Sequence, residues 1–151
     1  MKKSFFLIFL FQFSIVPFLQ AQSSKITEKS RSELIALIGL YSEARDNQDT
    51  LLLKEILTME VDQLVSSGEW RAGILEAVEG MQRSSNTNVG TRTLTVEKCR
   101  LLHPEVGLID ARYQIESRDG SIRNMWSTFV VIREDGLWKI SAIRNMLPSN
   151  Q

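Results

Sequence analysis

The densest grouping of side chains able to do chemistry lies between Val106 and Ser117, where Leu108, Asp110, Arg112, Gln114 and Glu116 alternate with Ile109, Ala111, Tyr113 and Ile115. A period of two sends the two sets to opposite sides of a strand. Asp110 and Arg112 therefore share a face, and by default that face meets water. Turned into a cavity, a carboxylate beside a guanidinium could orient a polar group or shift a neighbouring pKa. One bulge or a slip of one residue exchanges the sides. Tyr41 adds a phenol on a helix, either a donor to a ligand or a core ring whose hydroxyl meets a backbone group. Trp70 follows a turn and offers either an aromatic wall for an apolar ligand or a buried plug. His103 is the single histidine, so no second one exists for a metal cluster or a Ser-His-Asp triad, and no metal is expected. Cys99, with no histidine on a nearby strand, reads as a small buried hydrophobe rather than a nucleophile. No glycine-rich dinucleotide fingerprint is present, and no cofactor is expected.

The 151 residues carry 18 basic and 18 acidic side chains. Lys2 and Lys3 precede the uncharged apolar run Phe5 to Leu19, the pattern of a secretory signal peptide cleaved after Ala21. Gln12, Ser14 and Pro17 interrupt the run, and it falls short of the roughly 20 apolar residues that a bilayer span needs. A lipoprotein anchor would need a cysteine just after it, and Cys99 is the only one. Loss of residues 1–21 removes two lysines and no acid, so the mature chain is slightly acidic. Nothing in it forms the basic patch of a nucleic-acid binder. A single cysteine makes no internal disulfide, and stability must come from an ordinary core. The expected organisation is a signal peptide (1–21), a short polar lead (22–25), one domain (26–147) and a tail (148–151), secreted or periplasmic and free of the membrane after cleavage.

Positioning these groups falls to two consecutive helices, a short strand, a third helix and four strands. Leu34, Leu37, Ile38, Tyr41 and Ala44 recur at helical spacing. Asp49 is placed to cap a second helix bearing Leu52, Leu53, Ile56 and Leu57. Val61 to Val65 reads as a strand, Ser66 to Glu69 as a turn, Trp70 to Gly73 as a loop, and Ile74, Leu75, Val78 and Met81 as a third helix, followed by a polar connector from Ser84 to Gly90. The period then becomes two in Thr91–Leu102, Val106–Ser117, Ser121–Arg133 and Leu137–Met146. Short separators, two of them holding Asp-Gly, imply an antiparallel meander. Helices first and strands after argue an α+β domain with helices packed on a curved sheet. In the third meander strand Met125, Phe129 and Val131 oppose Trp126, Val130 and Ile132, so neither face is polar and both are expected to be covered.

In this order and in its local residues the chain resembles the nuclear transport factor 2-like (SnoaL-like) superfamily. Tyr41 to Asp49, Gly68-Glu69-Trp70 with Gly73, and His103-Pro104-Glu105-Val106-Gly107-Leu108-Ile109 carry the likeness. So does Thr128-Phe129-Val130-Val131-Ile132-Arg133-Glu134-Asp135-Gly136-Leu137-Trp138-Lys139-Ile140, which looks most like the exported bacterial SgcJ/EcaC-type branch. The resemblance implies a cone whose bent sheet wraps the helices around a cavity, and a homodimer paired through the outer sheet face. Tyr41 falls at the tyrosine of the ketosteroid isomerase oxyanion hole, with Val65 near the base position and Ser127 at the second donor. The comparison turns Asp110, Arg112 and Arg144 inward and sets Trp70 at the pocket mouth. The candidate ligand-binding set is thus Tyr41, Trp70, Asp110, Arg112, Ser127, Phe129 and Arg144, around an unknown, largely apolar small molecule. If the domain is catalytic, Asp110 is the base and Tyr41 the donor of a cofactor-independent isomerisation, dehydration or cyclisation. The alternative is a non-catalytic dimerisation or protein-interaction module.

Overall fold

The computed structural model describes residues 26–149, so the signal peptide and the polar lead lie outside the described residues. Helix α1 (Glu28–Asp46) opens on Thr27, whose hydroxyl accepts from the Ser30 amide, and buries the stripe Leu34, Leu37, Ile38, Tyr41, Ala44 and Arg45. Asp49 caps α2 (Thr50–Ile56) as expected, its carboxylate accepting from the amides of Leu51 at 3.0 Å and Leu52 at 2.9 Å. Such a cap answers backbone donors that the first turn leaves without partners.

Strand β1 (Leu57–Leu64) begins earlier than the sequence suggests. Leu57 belongs to the strand, paired with Ile140, and α2 passes into the sheet without a loop. Trp70 to Ala72, expected as a loop, is a short edge strand β2 antiparallel to β1. The hairpin closes through Val65 N–H to Glu69 carbonyl at 3.0 Å and through Gly68, whose φ of +91° suits glycine. Helix α3 (Gly73–Thr87) extends through most of the presumed connector. Three strands of the meander then match their expected bounds within a residue, β3 (Gly90–His103), β4 (Val106–Ser117) and β5 (Ile122–Glu134), and β6 (Leu137–Met146) coincides with its expectation.

The strands form one six-stranded sheet in the order β2-β1-β6-β5-β4-β3. All neighbours are antiparallel except β1 and β6, which run parallel. Register shifts leave Glu97 of β3 and Ser141 of β6 as extra residues, bulges that bend and twist a sheet. The helices cover one face. Leu34, Ile38 and Tyr41 of α1, Leu53 of α2 and Ala77 and Met81 of α3 meet Ile109, Phe129, Val131, Ile140 and Ile143 of the sheet. Each large apolar side chain so buried contributes about 1.5–3 kcal/mol. Among the described residues no helix covers the outer face, and Trp126 on it is 40% exposed.

Candidate functional site

Where the helix-covered side of the sheet opens, a cavity of about 370 Å³ lies between the ends of α1 and α3, the β1–β2 hairpin and the strands β4 to β6. Tyr113, Ile115 and Met125 supply its less polar wall, and Val65 reaches it from the hairpin. The rest is polar, with Gln63, Asn145 and four arginines: Arg45, Arg71, Arg83 and Arg123. Glu69 is the only acid among the lining residues. The largely apolar pocket expected from the sequence is therefore a cationic one.

Arg45 is 7% exposed and follows Tyr41 by one helical turn. Its Nη1 donates to the Tyr41 hydroxyl at 3.0 Å, and its Nη2 donates to Ser85 Oγ at 3.5 Å. Its Nε is buried without a hydrogen-bond partner. Among the described residues no carboxylate comes within ion-pair distance of it, and the phenol and hydroxyl that meet it carry no charge. At the negative end of the α3 dipole Arg92 donates to Asn88 O at 2.6 Å and Ser85 O at 3.5 Å. A buried cation ordinarily comes paired. Arg45 is paired with neutral oxygens only.

Arg71 also lines the cavity, 6% exposed, under different terms. Its Nη1 donates to Gln63 Oε1 at 3.2 Å and its Nε to Glu69 Oε1 at 3.0 Å. Strand pairing sets this up, because Gln63 and Arg71 are register partners and both point to the helix side. The side chain crosses α3 at Gly80, where a Cβ would collide with its Nε and Cδ. Glu69 also reaches Arg83, at 3.7 Å. The hydrogen bond from Arg71, and then its charge, hold the Glu69 carboxyl below its usual range, so it stays ionised.

Tyr41 is 3% exposed and meets the Phe129 ring edge-on, with centroids 5.4 Å apart. Burial pushes its pKa above the ordinary 10.0, against the opposing pull of Arg45. It is a neutral phenol at physiological pH. Ser127, 2% exposed, donates to Asn145 Oδ1 at 2.7 Å and so fixes an amide that lines the cavity. Tyr41, Ser127 and Phe129 thus sit on the expected side, one layer beneath the lining.

The other four sequence candidates are elsewhere. On β4 the buried side is Ile109, Ala111, Tyr113 and Ile115, and Asp110 and Arg112 take the outer face. Asp110 accepts from Thr128 Oγ1 at 2.7 Å and borders a shallow recess with Trp126 and Met146, and Arg112 pairs with Glu97. Arg144 is also outward, bound to Asp62 at 2.9 Å and lying 4.7 Å from the centroid of the Trp70 ring. Trp70 is 56% exposed and is not part of the cavity mouth. The reason is the same throughout: the apolar set of each strand faces the helices, so its charged set faces out. The proposed Asp110–Tyr41 acid–base pair is split across the sheet. Among the described residues no group of three His, Cys, Asp or Glu side chains could hold a metal.

Sequence reading missed Arg45, Arg71 and Gln63. Arg45 had a signal, since an arginine one turn after Tyr41 interrupts an otherwise apolar stripe. Arg71 and Gln63 had none until Trp70–Ala72 is known to be a strand.

No family model and no curated protein matches the chain. Solved structures do. A nuclear transport factor 2-like protein of unknown function from Shewanella oneidensis superposes with a TM-score of 0.66 at 15% identity, over 77% of this chain and 98% of that one. One of the same kind from Pseudomonas putida gives 0.70 at 12%, over 82% and 90%. A cystatin-like domain of unknown function from Nostoc punctiforme gives 0.72 at 16%, over 82% and 80%. At such identities the likeness concerns architecture, and the architecture of this chain is the nuclear transport factor 2-like cone.

Proposed function

We propose that this is an exported small-molecule-binding domain that holds the anionic group of an organic ligand against Arg45. The observation that carries the reading is the buried Arg45 guanidinium at the cavity, with an unpartnered Nε and no carboxylate. A ligand carboxylate would supply the missing charge through short, charge-assisted hydrogen bonds. Tyr41, neutral and one layer beneath the lining, accepts from Arg45 and so holds the guanidinium in place. Tyr113, Met125 and Ile115 offer surface to the ligand's body, in keeping with pockets that combine apolar walls with a few fixed polar groups. Arg83 and Arg123 at the rim attract anions from solution. Binding is favoured over proton abstraction because the only lining carboxylate, Glu69, is engaged by Arg71 and Arg83.

Export rests on the sequence of residues 1–21, and placement in the SgcJ/EcaC-type branch on the β5–β6 residues. A homodimer through the outer sheet face is part of the proposal, since Trp126 and Met146 are exposed there. The test is isothermal titration of the mature protein with benzoate. Saturable binding that disappears in Arg45→Met supports the reading, and equal binding by both proteins sinks it.

A further inference from the structure

We propose that Glu69 sets the charge selectivity of this cavity, so that it takes a monoanion with an uncharged body and rejects a dianion. The inference rests on the anion-binding reading above and concerns what that reading leaves open, the class of anion.

The two buried guanidiniums of the cavity are not equivalent. Arg71 meets a carboxylate at 3.0 Å and an amide oxygen at 3.2 Å, and its charge is already balanced within the chain. Arg45 meets no carboxylate, and its Nε is unpartnered. The cavity thus has one uncompensated buried cation, and one anionic group satisfies it. A second anionic group carried toward Arg71 would find Glu69 there first. It would have to displace the carboxylate from Arg71 or sit beside it, and like charges side by side disfavour one another even at a half-exposed site. Arg83 offers no way round, because it is engaged by Glu69 at 3.7 Å and Glu79 at 3.9 Å and is 63% exposed. Arg123, exposed beside Ser66, meets water, which screens it. Glu69 therefore acts as a built-in competitor at one end of the pocket. Its side chain is 48% exposed, and its structural part is to balance the charge of the buried Arg71.

The experiment compares benzoate with terephthalate, which differ by one carboxylate at the far end of the same ring, on the wild-type protein, Glu69→Gln and Arg45→Met. Glutamine keeps the shape and can still accept from Arg71 through its amide oxygen, and unchanged thermal melting verifies that the fold is intact. The wild type is expected to prefer benzoate by about threefold, and Glu69→Gln to abolish that preference by tightening terephthalate more than benzoate. If benzoate binds through Arg45 while terephthalate binds equally well and the Glu69→Gln ratio does not move, the anion reading stands and the selectivity role is overturned. If neither compound binds the wild type, both fall.

Discussion

At the residue scale the determining feature is a charge placed where folding alone would not place it. Arg45 occupies a position on the apolar stripe of α1 where a straight hydrophobic chain would fill the same space. Replacing buried ionic groups by apolar ones of similar size is often neutral or stabilising, by about 1–4 kcal/mol for whole ion pairs. Arg45→Met is therefore expected to melt at the same temperature as the wild type or higher in the absence of ligand, and to lose any ligand-induced rise. A clear drop in its melting temperature would mean that Arg45 serves the fold. Tyr41 gives a pH test with a definite sign. Its folded pKa lies above the ordinary 10.0, so its contribution to stability is complete below pH 10.0 and is lost as pH rises through the folded value. Denaturant midpoints from neutral to strongly alkaline pH should fall more steeply for the wild type than for Tyr41→Phe, which has no phenol to ionise. Both residues were visible in the sequence, but only Tyr41 carried a recognisable role. The nearer polar partner of Arg45, Tyr41, is one turn back on α1, but Ser85 comes from forty residues on, and spacing along α1 does not reveal it.

Elements hold these side chains in place, and here the sequence was most readable where local rules decide. The Asp49 cap and the faces of β4 follow from short-range chemistry and from the period of two. The structure takes the solvated-face alternative for Asp110 and Arg112, because the opposite set, Ile109, Ala111, Tyr113 and Ile115, supplies the surface that the helix-covered side buries. Edge strand β2 was illegible for a matching reason. Three residues hold no period, and their extended form comes from pairing with β1. Replacing Asp49 with alanine should cost about 1 kcal/mol, read as a lower denaturant midpoint at unchanged slope. Gly80 on α3 makes a sharper test, since Arg71 lies where its side chain would be. Gly80→Ala gains helix propensity of about 1 kcal/mol yet is expected to destabilise, because an overfilled site costs about 1–3 kcal/mol. In an Arg71→Ala background the clash is gone and the same substitution should become stabilising. That reversal of sign, measured in a double-mutant cycle, separates the contact from a general intolerance of α3.

For the whole molecule, the sheet has two sides and the helices cover one. Alternation along β5 gives both sides apolar residues: Met125, Phe129 and Val131 go under the helices, while Trp126, Val130 and Ile132 are left on the other side. Exposed large apolar side chains gathered on one face mark a contact surface more often than chance. Met146 on β6 is 47% exposed and is the register partner of Trp126, so the two extend the same patch across neighbouring strands. Charges border it, with Lys98 and Asp110 beside the recess that Trp126 also lines. An apolar centre with a polar rim is the usual anatomy of a protein interface. A second copy of the chain can meet this face with its own, in a two-fold arrangement where each patch serves both subunits. Sedimentation velocity over a range of concentrations should then report a dimer, and Trp126→Glu should shift it toward monomer by burying two new carboxylates at the centre. Because the cavity opens on the helix side, benzoate binding by that variant should persist. Its loss together with the dimer would mean that the two faces of the sheet are coupled, and that assembly shapes the pocket.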